Sequence, residues 1–265
     1  MFYKKYQING YSILINKILL DTNINFINYL SHPIDIFNYQ ILTFKNSKRT
    51  KAGCIKLNNQ VYFFKSYNNR GIIYTIKSIV RKSRPTKVLT IYKQLNKLNI
   101  NTPTVLATIE KRCLNMVLES YILTEFIDGY KIKEILSKKE LNEQYTILRY
   151  ISHFISQIHN KSVFHGDLKA NNLLLDKNNL SKIWLLDLDG VKIRNSISLK
   201  ERIKDVARFL VSIDYMISEK SLLFFIDNYI KKTDVLIERD SFIKNLDLEI
   251  AKIKKRHEQK AKHKR

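Results

Sequence analysis

The chain is expected to form a two-lobed α+β fold, with a small β-rich N-terminal lobe and a larger helical C-terminal lobe. Three observations predict this. Strand-like patterns separated by turn residues dominate residues 41–126, while the longest amphipathic stretch, Leu141 to Asn160, and two further helical stretches follow Asp128 and Gly129. Two short apolar runs, Leu173 to Leu175 and Ile183 to Leu186, flank the turn Asp176-Lys177-Asn178-Asn179 and read as a hairpin with polar groups at its open end. Finally, 265 residues with 45% apolar and 11% aromatic side chains can bury a full core. The lobes are expected at 1–127, with 1–35 as an extension, and at 128–250, followed by a basic tail at 251–265.

In chain order, residues 1–35 alternate apolar and polar positions, as expected of strands added to the first lobe or of a cap on it. Ile41 to Tyr67 reads as a β-hairpin, and 68–71 as a turn. Lys87 to Leu98 carries Val88, Ile91, Leu95 and Leu98 at helical spacing, with Pro85 near its first turn. Strands are expected over Thr104 to Ile109 and Met116 to Phe126. Leu141, Tyr145, Leu148, Ile151, Ile155 and Ile158 form one apolar stripe, and helices should follow at 201–217 and 220–231.

The chemistry concentrates around that hairpin. His165-Gly166-Asp167-Leu168-Lys169-Ala170-Asn171-Asn172 precedes its first strand, and Asp187-Leu188-Asp189-Gly190 follows its second. Folding the hairpin brings the two groups together. An Asp, a Lys two residues on, an Asn five residues on and a further carboxylate are what phosphoryl transfer from ATP needs. A base orients the acceptor hydroxyl, and a carboxylate with an amide holds Mg2+ against the phosphates. Asp167 suits the base and Asn172 one metal position. Asp187, which directly ends the strand, suits the other, with Asp189 assisting.

This stretch resembles the protein-kinase-like superfamily. With Trp184 to Gly190, Lys204 to Leu210, Ile100 to Ala107 and Ser120 to Phe126, it is similar to the bacterial lipopolysaccharide kinases that phosphorylate Kdo or heptose sugars of the inner core. The likeness covers about residues 60 to 230. It implies that Lys65, closing the run Val61 to Phe64, pairs with ATP phosphates, and that Glu125 to Ile127 form a hinge whose backbone holds adenine. It implies that Asp167 is the catalytic base, that Lys169 lies beside the transferred phosphate, and that Asn172 and Asp187 are metal ligands. His165 becomes a scaffold residue, and Asp205 a brace for the catalytic loop.

Two features depart from the pattern. There is no Gly-x-Gly-x-x-Gly, and among six glycines only Gly53 could serve a phosphate-covering hairpin. Residues 36–109 contain no Asp or Glu, so the helix glutamate that pairs the strand lysine in kinases cannot lie between Lys65 and Ile109, and Glu110 is the nearest acid downstream.

The net charge is +23, from 47 Lys and Arg against 24 Asp and Glu. Such a field attracts polyanions. Fourteen of the basic residues lie between Lys45 and Lys97, and the tail has eight against one acid, Glu258. Cys54 and Cys113 form no Cys-x-x-Cys pair, which argues against a zinc site or disulfide scaffold and for a reducing compartment. Asn16 and Lys17 interrupt the apolar stretch that a signal peptide would need, and no run approaches a membrane span. The expected protein is an ATP- and Mg2+-dependent kinase of an anionic glycolipid sugar, cytoplasmic and peripheral to the membrane. The segment from Asp187 to Asp205 is short for docking a peptide. The alternatives are a small atypical protein kinase or other small-molecule kinase, and a pseudokinase acting as a polyanion-binding module. Nucleic-acid binding explains the charge but not the spacing of the carboxylates.

Overall fold

The computed structural model describes residues 2–22, 26–47, 50–67 and 82–262. The chain divides into two compact units: residues 1–93 with 103–127, and residues 94–102 with 128–265.

The first unit is built on a seven-stranded antiparallel sheet of β1 (Tyr3–Ile8), β2 (Tyr11–Asn16), β3 (Gln40–Ser47), β4 (Thr50–Leu57), β5 (Gln60–Tyr67), β6 (Val105–Cys113) and β7 (Met116–Glu125), in the order β1-β2-β6-β7-β5-β4-β3. Two of its turns are set by asparagine's tolerance of positive φ. Asn9-Gly10 joins β1 to β2 at φ 51° and 76°, and Asn58-Asn59 joins β4 to β5 at φ 49° and 62°. The expected hairpin before Lys65 is thus a three-stranded meander. The N-terminal extension both adds strands and caps the sheet. Beyond β1 and β2, the short helices α1 (Lys17–Thr22) and α2 (Phe26–Leu30) and a 3-10 turn at Asp35–Tyr39 lead to β3. Phe26, Leu30 and Ile36 join Ile13, Ile15, Tyr62, Phe64, Ile109 and Leu123 in one buried core. Since strand side chains alternate between faces, Lys65 and Tyr67 point away from the core face that Tyr62 and Phe64 occupy. Helix α3 (Arg84–Lys97) begins three residues before the expected Lys87 and is capped by Ser83, whose Oγ accepts from the Thr86 N–H at 3.3 Å. The turn expected at 68–71 lies outside the described residues.

The second unit is mainly helical. Helices α4 (Ile132–Lys138), α5 (Leu141–Asn160), α6 (Leu199–Val211), α7 (Glu219–Lys232) and α8 (Arg239–Lys262) accompany small strands β8 (Gly129–Lys131), β9 (Val163–Phe164), β10 (Leu173–Asp176), β11 (Ile183–Leu185) and β12 (Lys192–Ile193). Helix α5 has the expected bounds, and its apolar stripe buries Leu148, Ile151, Ile155 and Ile158. The helix expected at 201–217 ends sooner. The Ser212 hydroxyl donates to the Phe209 carbonyl and its N–H to the Arg208 carbonyl, and a separate 3-10 turn takes up Asp214–Met216. Helix α6 is opened by a capping box, Ser198 with Glu201. Helix α8 escaped the sequence reading. Its apolar anchors, Phe242 and Leu246, are a sparse stripe in a polar segment, yet the Phe242 ring stacks on Tyr229 at 5.6 Å.

Candidate active site

The loop between β9 and β10 is held from beneath by one buried carboxylate. Asp205, on α6, is fully buried; Oδ2 accepts from the His165 N–H at 2.7 Å and Oδ1 from the Gly166 N–H at 2.9 Å. Two backbone donors on one carboxylate fix the direction in which the chain enters the loop. Gly166 has φ +79°, and a Cβ there would meet the Gly190 carbonyl at 3.1 Å and the Phe164 ring at 3.3 Å. Only glycine satisfies both conditions.

His165 links the two groups of motif residues. Its Nδ1 accepts from the Asp167 N–H at 3.3 Å and its Nε2 lies 3.0 Å from the Leu186 carbonyl. A carbonyl can only accept, so the ring carries its proton on Nε2. The buried imidazole is therefore a strut from the Asp167 backbone to the residue before Asp187. The strands do the rest. Leu173 pairs with Leu185, and the Leu186 N–H donates to the Asn172 carbonyl at 2.8 Å. The expected hairpin thus exists, and its open end holds Asp167, Lys169, Asn172 and Asp187 together.

Each side chain there has a defined setting. Asp167 and Lys169 pair at 2.8 Å, with side chains 50% and 46% exposed. A pair this open adds little stability, but both groups face solvent at the tip of the loop. The Asn172 amide nitrogen donates to the Asp167 carbonyl at 2.8 Å, which orients its oxygen as the remaining acceptor end. Ala170 is tied to α6 by its N–H to Ser212 Oγ at 2.8 Å. Asp187 has left-handed backbone angles, φ 52° and ψ 67°, a conformation that costs a non-glycine residue roughly 1 kcal/mol. Asp189 lies in the 3-10 turn Leu188–Gly190 that follows.

A second polar layer lies under Asp205. His159 Nε2 is 3.6 Å from Asp205 Oδ2, and His159 Nδ1 is 2.8 Å from the Tyr229 hydroxyl. Burial holds the His159 pKa below the ordinary imidazole value, against the pull of Asp205. Arg202, itself buried, donates to Asn160, Thr233, Asp234 and the His159 carbonyl.

The remaining predicted residues belong to the first unit. Lys65 is on β5, opposite Ala52 of β4 and Ile122 of β7. Its ammonium lies 4.9 Å from the centre of the Tyr67 ring. Glu125 ends β7, with its N–H on the Thr104 carbonyl at 2.9 Å and its carboxylate accepting from the Thr104 N–H at 3.3 Å. Ile127 follows just beyond. Glu110 is inside β6, paired with Arg112 at 3.2 Å. Gly53 lies within β4, paired with Thr43 of β3, where the Gln40 side chain and the Leu42 carbonyl occupy the space that a Cβ would need.

A β-sheet N-terminal region, a helical C-terminal part and this loop define a kinase-like fold. Residues 59–229 match the Lipopolysaccharide kinase (Kdo/WaaP) family. The chain belongs to that family. Among solved structures it is similar to WaaP in complex with acyl carrier protein, with a TM-score of 0.66 and 13% identity, over 91% of this chain and 98% of that one. Among characterised proteins it is similar to the KEOPS complex subunit Bud32 of Pyrococcus abyssi, 28% identical over 118 residues, which are 44% of this chain and 49% of that protein. It is also similar to the EKC/KEOPS complex subunit BUD32 of Enterocytozoon bieneusi, 25% identical over 167 residues, 58% of this chain and 74% of that protein. The chain thus spans only about half the length of the archaeal relative. All the predicted site residues lie inside the family match.

Proposed function

We propose that this kinase transfers the γ-phosphoryl group of ATP to a hydroxyl of a sugar in an anionic glycolipid, the Kdo or heptose region of a lipopolysaccharide core. The observation that carries the reading is the exposed Asp167–Lys169 pair on a braced loop, in a chain of this family. The Asp167 carboxylate orients the acceptor hydroxyl and takes its proton. Lys169, on the same carboxylate, shifts toward the phosphoryl group as negative charge develops. Lys65 binds phosphate oxygens, and backbone groups of Glu125 and Ile127 hold the adenine. The donor set at the end of the hairpin suits Mg2+, since an amide oxygen on Asn172 and carboxylates on Asp187 and Asp189 are hard ligands. Bound there, Mg2+ would neutralise charge on the phosphates.

The test is radiolabel transfer from ATP into purified lipopolysaccharide. Asp167→Asn is expected to lower turnover at least ~10³-fold while nucleotide affinity stays within a few-fold, because the base acts on the acceptor. Unchanged turnover would remove Asp167 from the mechanism. The likeness to the Bud32 subunits favours a second reading, an atypical protein kinase. Label that enters a protein acceptor and never the glycolipid would select it.

Membrane contact is part of the same reading. No helix among the described residues is long and apolar enough to cross a membrane, and every described residue from Lys254 onward is exposed. Residues 251–265 carry eight basic residues and one acid, 8 − 1 = +7. We expect their deletion to weaken sedimentation with anionic vesicles, more at low salt than at high. It should raise the apparent KM for glycolipid and leave turnover on a soluble sugar unchanged. A truncated chain that sediments like the whole would assign binding to the basic N-terminal stretch. WaaP was solved with acyl carrier protein, and a chain of +23 also suits an anionic protein partner.

A further inference from the structure

Helix α3 contains no acidic residue, and neither does any other part of 36–109, so whatever orients the Lys65 ammonium within this stretch is not a carboxylate. The Tyr67 ring is two residues along β5 on the same face, and Lys65 Nζ stands 4.9 Å from its centre. The same ring receives a second cation. The Arg84 guanidinium carbon, in the first turn of α3, lies 5.5 Å from its centre. Tyr67 is only 5% exposed, so the ring is a fixed, desolvated surface, the condition under which cation–π attraction is strongest.

We propose that Tyr67 is a positioning residue for Lys65: its π face presents the ammonium for ATP phosphates, and Arg84 secures α3 to the same ring. The arrangement has a chemical advantage over a carboxylate. A ring, unlike a carboxylate, attracts the ammonium without adding a negative charge beside the triphosphate. It also has a predictable weakness, because the attraction scales with electron density in the ring and not with a formal charge. The inference rests on the proposed phosphate-binding role of Lys65, and the experiment separates the two.

ATP affinity and turnover are measured for Lys65→Ala, Tyr67→Leu, Tyr67→Phe and the double variant Lys65→Ala/Tyr67→Leu in the full chain. A Lys65→Ala protein with wild-type ATP affinity and turnover overturns the role of Lys65 itself. If that variant is impaired, Tyr67→Leu should raise KM for ATP about tenfold. Tyr67→Phe, which keeps the ring, should restore most of the loss. In the Lys65→Ala background, Tyr67→Leu should add little, because the interaction it removes is already gone. Additive effects overturn the positioning role and leave Tyr67 a packing residue.

Should Tyr67→Leu fold poorly, phenylalanines bearing one, two or three fluorines can be installed at position 67. They retain the ring's shape while draining its π density. KM for ATP rising stepwise with each fluorine, at constant melting temperature, is the expected result. A flat series overturns the proposal. Arg84→Gln should move KM in the same direction by less, since it loosens the helix and not the lysine.

Discussion

The loop at 165–190 and the strand carrying Lys65 solve the same problem, holding a charged side chain in place, by different means. In the loop several backbone groups are held by polar contacts from side chains. Asp205 takes the N–H groups of His165 and Gly166, His165 spans Asp167 and Leu186, and Asn172 ties back to Asp167. On β5 the frame is the sheet itself, and Lys65 is flanked by an aromatic ring, in a stretch of sequence, 36–109, that contains no acid. Groups that move protons need positions set to fractions of an ångström, and hydrogen bonds have that directionality. A group that attracts a triphosphate needs charge more than angle.

The largest effect that would break this contrast is at Asp205. Asp205→Ala leaves the His165 and Gly166 N–H groups without their acceptor and removes the carboxylate beside His159 and Arg208. We expect a loss of roughly 3–5 kcal/mol, read as a lower urea midpoint at unchanged slope. Turnover should fall even where the protein remains folded. A midpoint within error of the wild type would mean that the loop holds its shape without Asp205. The two regions would then differ in composition only.

A smaller effect sharpens the contrast inside the loop. Asp187 directly follows β11 and Leu186, which is bonded to both Asn172 and His165, whereas Asp189 lies in the turn beyond. Asp187→Ala should weaken metal-dependent nucleotide binding by about a hundredfold and Asp189→Ala by about tenfold or less, on the scale of lost ligands and their supports. Titration with MgATP checks the ranking. The reverse order would transfer the ligand role to Asp189 and make the left-handed Asp187 a hinge for it.

Much of the loop was legible in the sequence for the reason that separates the two regions. Polar residues at both open ends of a hairpin have few explanations, so Asp167, Asn172 and Asp187 could be assigned together from spacing. The brace was legible only through the family resemblance, since Asp205 is forty residues from the backbone it holds. The Asp187 backbone angles and the His165 strut left no mark in the spacing. On the other side, Lys65 was legible as the end of an apolar strand. Its neighbour Tyr67 read as one more β-former, because periodicity gives the face of a side chain and not what crosses that face. Helix α8 was missed because Phe242 and Leu246 anchor it within a run of charge that reads as a solvated tail.

The smallest effect concerns pH and the layer under Asp205. Burial lowers the pKa of His159 from the ordinary 6.5, more than Asp205 raises it. The unfolded chain therefore binds a proton near pH 6.5 that the folded chain refuses. Its contribution to stability is complete above that value and is lost as pH falls through 6.5 toward the folded pKa. One proton sets the limit at about 1.4 kcal/mol per pH unit. His153 is shifted the same way, by burial first and then by Lys232, but it is partly exposed and should contribute less. We expect the urea midpoint to drop between pH 7.5 and 5.5 in the wild type and to drop less in His159→Gln. The variant also loses the contact with Tyr229, which lowers stability at every pH, so the slope is the informative quantity. A slope equal to that of the wild type would assign the titration to His153, where His153→Gln should flatten it. A flatter slope in His159→Gln would show that the loop at 165–190 rests on a layer that acid loosens, whereas the strand that carries Lys65 lies in a stretch, 36–109, with no acid or histidine.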